Sequence, residues 1–170
     1  MERNLNEGPV PLDVTGTADL QEQIDSIGLL VERGPVPDGG LSWDADTRTV
    51  VVRLVGPVDG TSPDVERLKT AVLAKAEGFT VEFRSVTYSR TELERLASHL
   101  FATMHRWAPG LTHAGGGWFC DLNRVLVQYP SNTGQAEAWA AAIQALDDER
   151  IAMEQFVYIP RGRRRTGRPN

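Results

Sequence analysis

A protein that makes or breaks covalent bonds needs a nucleophile or base held by a partner, or a metal ion with three or four ligands. Few side chains in this chain qualify. Its three histidines are His99, His105 and His113. His99 and His105 lie six residues apart in one helical stretch, about 600° of rotation, so they face different ways and do not chelate one ion as an i, i+4 pair does. Cys120 stands beside Asp121, with His113 seven residues upstream; folded across a hairpin, the three would make a thiolate with a base. Asp46 and Asp121 are two carboxylates that would divide acid and base roles if their surroundings drove their pKa values apart. Gly115-Gly116-Gly117 precedes a strand and has no lysine after it, so it reads as a hinge and not as a phosphate cradle.

An internal similarity turns most of these residues away from catalysis. Gly40-Leu-Ser-Trp43-Asp-Ala-Asp46, followed by Val50-Val-Val52, aligns without a gap on Gly115-Gly-Gly-Trp118-Phe-Cys-Asp121, followed by Val125-Leu-Val127, at an offset of 75 residues. A duplication of this kind decides architecture before any motif does. It sets Cys120 opposite Ala45, where a small residue is enough, and puts Asp46 and Asp121 in the same polar turn, where aspartate bonds neighbouring backbone amides. The expectation is a protein with no catalytic residue, no metal ligand and no cofactor, which works by surface contact.

The elements that position these residues follow from periodicity. Residues 1–39 read as a loose polar arm with one short helix, capped at Thr17 or Asp19, carrying Leu20, Ile24 and Ile27 and stopping at Gly28. Residues 40–88 form a first β-β-α-β unit: strands at Leu41–Asp44 and Thr49–Val55, and a helix from Pro63 with Val65, Leu68, Val72 and Ala76 on one face. Its last strand alternates Phe79, Val81 and Phe83 with polar residues, as a half-buried antiparallel strand does. Ser89 and Glu92 have capping-box spacing. The helix they start, over 89–110, carries Leu93, Leu96, Leu100, Phe101, Met104 and Trp107 and reads as the connector. Residues 111–160 repeat β-β-α-β: strands at Trp118–Cys120 and Val125–Tyr129, a helix with an Asn132–Gln135 cap and a face of Ala136, Trp139, Ala140, Ile143 and Leu146, then a strand from Ile151 to Ile159. The expected fold is α+β, with antiparallel sheets and helices on one face.

At 170 residues and 41% hydrophobic, the chain is large enough for one ordinary domain or two small ones. No apolar run approaches the roughly 20 residues that cross a bilayer, and the first residues lack a signal-peptide stretch, so a cytoplasmic protein is expected, or an extracellular one if the chain is a trimmed piece. A single cysteine rules out an internal disulfide. The segment Arg161–Asn170 carries 5 of the 18 basic residues and no acid, leaving 13 basic against 23 acidic in residues 1–160. An acidic body disfavours nucleic acid except through that basic, disordered tail.

The run Val86-Thr-Tyr88-Ser89-Arg-Thr-Glu92-Leu93, a long helix, a glycine-rich bend and then Trp118-Phe-Cys-Asp121-Leu-Asn123-Arg-Val125-Leu-Val127 resembles the pro-regions of secreted bacterial chymotrypsin-like serine proteases, the alpha-lytic protease and streptogrisin group. The resemblance covers roughly residues 40–159. It implies two small α+β lobes that act as chaperone and inhibitor of a serine protease, pairing a sheet with a protease strand. Carried over by position, the contact residues are Val125, Val127 and Tyr129 together with Phe156, Val157, Tyr158, Ile159 and Pro160. Two departures stand: the sequence stops at Asn170 where that family runs on into a protease domain, so a fused foldase is not expected unless the chain is a trimmed piece, and the Arg-rich tail is unlike a substrate mimic for proteases preferring apolar or small residues. The expected function is therefore a non-enzymatic protein-interaction module. Alternatives are a subunit of a larger assembly, self-associated through the long helix, Trp107 or Trp139, and a small enzyme or ligand-binding protein with a cleft near His113, Cys120 and Asp121.

Overall fold

The computed structural model describes residues 18–60, 62–111, 113–131 and 134–157. The expected arm over 1–16, the Thr17 and Asn132 caps, Tyr158, Ile159, Pro160 and the basic tail lie outside the described residues. The chain divides into two compact units with the boundary between Ser89 and Arg90. The first contains α1 (Ala18–Glu32), β1 (Asp38–Asp44), β2 (Thr49–Val55), α2 (Pro63–Leu73) and β3 (Thr80–Val86). The second contains α3 (Arg90–Trp107), β4 (Gly115–Phe119), β5 (Arg124–Pro130), α4 (Gly134–Gln144) and β6 (Ile151–Phe156). The α+β class is as expected.

Both sheets are mixed, which corrects the expectation of antiparallel sheets. In the first, β2 is central, antiparallel to β1 and parallel to β3; in the second, β5 is central, antiparallel to β4 and parallel to β6. Alternation of apolar and polar residues in β3 reports that one face is buried and says nothing of direction. The helix between two neighbouring strands carries the chain back to the end where it started, and this crossover makes the pair parallel.

In the first unit, Val50, Val52 and Leu54 of β2 meet Ile27 and Val31 of α1 and Val65, Leu68 and Val72 of α2 in one buried cluster. Helix α1 runs through Gly28, where a stop was expected. A glycine inside a helix costs about 1 kcal/mol, whereas burying a side chain of the size of Val31 contributes about 1.5–3 kcal/mol, and Val31 is 1% exposed. Pro63 occupies the first turn of α2 after Ser62, where its missing N–H leaves no helical bond unmade.

In the second unit, the helix read as a connector folds onto its own unit. Its Leu93, Ala97 and Leu100 are buried with Val125 and Val127 of β5 and Ala136, Trp139, Ala140 and Ile143 of α4. The rings of Phe101 and Trp139 lie 5.9 Å apart at 56°. Arg150, just before β6, donates to Glu92 Oε1 at 2.9 Å and to Asp148 Oδ2 at 2.6 Å, which ties the first turn of α3 to the turn that launches β6.

The two hairpins share their detail. Each has a four-residue turn, 45–48 and 120–123, whose last residue has positive φ, Arg48 at 50° and Asn123 at 48°. The glycines before Trp118 are strand, not hinge. Gly116 pairs with Val127 in the β4–β5 register at φ 137°, a conformation reserved for glycine. Beyond β5 the spacing shortens: three residues separate β5 from α4, against seven between β2 and α2.

Candidate functional site

The groups that could have formed a catalytic centre sit in turns and on exposed surface. Cys120 is half-buried at the first position of the β4–β5 turn, its Sγ 3.9 Å from Asp121 Oδ1. Asp121 is exposed in the same turn, and His113 is exposed just before β4 with φ 66°. In the first hairpin, the residue that organises the turn is Asp44 and not Asp46: its Oδ1 accepts the amides of Asp46 at 3.0 Å and Thr47 at 3.3 Å. Bonds from Thr47, first its side chain and then its amide, hold the Asp44 carboxyl below its ordinary range. His99 is exposed on α3. Among the described residues no three His, Cys, Asp or Glu side chains gather as a metal-binding group, and no helix is long and apolar enough to cross a membrane.

The residues carried over as partner contacts divide three ways. Val125 and Val127 are fully buried on the central strand β5, so they are core and present no surface. Tyr129 and Phe156 are half-buried, and Val157 is 70% exposed. Strand β6, which Phe156 ends, is one edge of its sheet: among the described residues its hydrogen-bonded neighbour is β5 alone.

Ladder geometry sorts the backbone of β6. The Val125 amide donates to the Arg150 carbonyl at 2.8 Å, and the Ser131 amide to the Phe156 carbonyl at 2.8 Å. In a parallel ladder alternate residues turn both their N–H and C=O to the same neighbour, so Ala152, Glu154 and Phe156 face β5. Met153 and Gln155 therefore turn their amides and carbonyls outward. Ile151 shares that parity but its amide is taken by the Asp148 carbonyl at 3.0 Å. Side chains follow the register: Ile151 and Met153 lie on the helix-covered face beside Val125 and Val127. Ala152, Glu154 and Phe156 lie on the other face, where Glu154 accepts from Gln128 Nε2 at 2.7 Å.

The site is thus a strand edge two amides long, running into exposed Val157. Sequence reading found the start of the strand at Ile151 but carried it to Ile159, whereas β6 ends at Phe156. It missed Met153 and Gln155, because which backbone groups face outward depends on the pairing partner, and β5 was read as part of the contact surface instead of as that partner. Asp148 and Arg150 fix where the edge begins. The Asp148 carboxyl is pulled below its ordinary range by hydrogen bonding from Arg150, against the opposing effect of burial. No protein-family model matches this sequence, and no curated protein matches it either.

Proposed function

We propose that this protein is a non-enzymatic protein-interaction module that accepts an extended segment of a partner protein along the outer edge of β6. The carrying observation is the pair of outward-facing backbones at Met153 and Gln155 on an edge strand that ends at exposed Val157. An added strand supplies main-chain hydrogen bonds for affinity, and alternate side chains supply selectivity. The resemblance of residues 40–159 to protease pro-regions supports a chymotrypsin-like serine protease as the partner, with a chaperone or inhibitory action on it.

Proline substitution tests the edge directly, because proline removes an amide donor and is tolerated on the open side of an edge strand. The full chain is titrated into a streptogrisin-class protease acting on a chromogenic peptide. Wild type is expected to slow hydrolysis, and Gln155→Pro, folded by circular dichroism, to lose that effect. Inhibition by Gln155→Pro equal to wild type would rule out docking on this edge, and a wild-type chain with no effect on the protease would rule out this partner class.

A further inference from the structure

The first unit holds a surface feature unconnected with the β6 edge. Helices α1 and α2 flank an open groove of about 700 Å³. Its apolar floor comes from Leu29 and Leu30 of α1 and from Leu68 and Ala71 of α2. Leu29 is 47% exposed, and among the described residues the core contacts of this helix are made by Ile24, Ile27, Leu30 and Val31 and not by Leu29.

The rim is cationic. Between residues 18 and 89 the chain has 12 acidic and 7 basic residues, yet the groove gathers Arg33, Arg67 and Lys75 against the single acid Asp64. Asp64 is ion-paired with Arg67. A net positive groove on a net acidic unit is complementary to an anion and repels its own copy set groove to groove. The lining residues recur at helical spacing, Ser26, Leu29 and Leu30 on α1 and Asp64, Arg67, Leu68 and Ala71 on α2, with Arg33 and Lys75 in the turns just after the two helices. The helical parts of these rows span about 6 and 10 Å at 1.5 Å per residue. Two helical ridges of that length, open to solvent, match one to two turns of a third helix better than they match a small molecule, which sites of this volume usually enclose.

From this we infer that the α1–α2 groove is a second docking site, which receives an acidic amphipathic helix of a partner protein. Leucine-type anchors at i, i+3, i+4 and i+7 would sit on Leu29, Leu30 and Leu68, with Glu or Asp side chains reaching Arg33, Arg67 and Lys75. The proposal does not depend on the β6 edge, and its test leaves that edge untouched.

The probe is a fluorescein-labelled, helix-stabilised peptide of about 15 residues with leucine at those four spacings and glutamate elsewhere, titrated with the full chain and read by anisotropy. Saturable binding is expected, weakened at least tenfold in the double variant Arg33→Glu, Lys75→Glu and several-fold in Leu29→Ser. Arg95→Glu, an exposed change on α3, is expected to alter affinity less than twofold. Raising salt from about 50 to 500 mM should weaken binding, as screening requires. The proposal is overturned if the wild type does not bind, if the double variant binds as tightly while its thermal transition is unchanged, or if a lysine-for-glutamate version of the peptide binds equally well. It is also overturned if phosphatidylglycerol vesicles bind the chain through the same residues and compete with the peptide, since the occupant would then be a membrane.

Discussion

Replacing Gly116 with alanine strikes the second unit at a point where the backbone leaves no room for a side chain. At φ 137° the residue lies outside the regions that side-chain-bearing residues occupy. A Cβ built there falls well inside contact distance of the Leu126 carbonyl oxygen, 3.0 Å from the carbonyl carbon and 3.1 Å from Cζ of Phe101. The carbonyl belongs to the central strand, and the ring packs against buried Trp139, so neither obstacle moves without disturbing the core. A glycine-only conformation forced on alanine costs about 1–3 kcal/mol, and displacing packed backbone and side chain adds about 1–3 kcal/mol more. The sum is about 2–6 kcal/mol, a large fraction of a small domain's stability. Gly117 provides the control: it stands one residue away in the same strand with nothing within 4 Å of its Cβ position, so Gly117→Ala should change stability by no more than about 0.5 kcal/mol. Urea unfolding followed by tryptophan fluorescence, with Trp118 and Trp139 reporting on this unit, measures both. Equal stability of the two variants would refute the strand placement of the glycines and restore the hinge reading.

Three further outcomes follow from the packing. Arg150→Gln removes the link from Asp148 to Glu92 and is expected to cost about 1 kcal/mol at neutral pH, since the pair is partly exposed. Because the Asp148 carboxyl titrates below its ordinary value in the folded state, its contribution is present above that value and lost as pH falls through the depressed one, so the gap between wild type and Arg150→Gln should narrow below about pH 4 in urea titrations. The indole N–H of Trp139 is buried without a hydrogen-bond partner among the described residues. Trp139→Phe should therefore cost less than about 1.5 kcal/mol and Trp139→Ala about 3–5 kcal/mol, as measured by thermal and urea unfolding. Gly39→Ala places a Cβ against Val86 Cγ2 and 3.2 Å from Arg53 Cβ and O. A side-chain methyl yields more readily than a carbonyl, so the loss should be about 1–3 kcal/mol, smaller than for Gly116→Ala on the same urea axis.

The α+β class and most elements were legible because each had a local cause. Pro63 opens α2, Ser89 directly precedes α3, the Val-rich runs are β2 and β5, and the apolar face Ala136, Trp139, Ala140 and Ile143 is that of α4. What failed to show depends on distant partners. Strand direction is set by the crossover and not by alternation. Gly28 looks like a stop until Val31 is seen to reach the core, and three glycines look like a hinge until Gly116 is seen lying against Leu126. The assignment of α3 to the second unit was hidden for the same reason: a capped apolar helix shows that it packs, not against which sheet. At the candidate site, Val157 was named as a contact residue but read as strand interior, since no local signal marks the end of β6 at Phe156, while the outward parity of Met153 and Gln155 required the register with β5. The α1–α2 groove was beyond sequence reading, because its cations come together from α2 and from the turns after α1 and α2, more than 30 residues apart.

Amide hydrogen exchange, read residue by residue with and without the protease, tests the β6 edge most directly. Binding on this edge predicts new protection at Met153 and Gln155, whose amides face outward, with little change at Ala152 and Glu154, which are already bonded to β5. Protection confined to other surfaces, with Met153 and Gln155 exchanging as fast in the complex as in the free chain, would contradict the account.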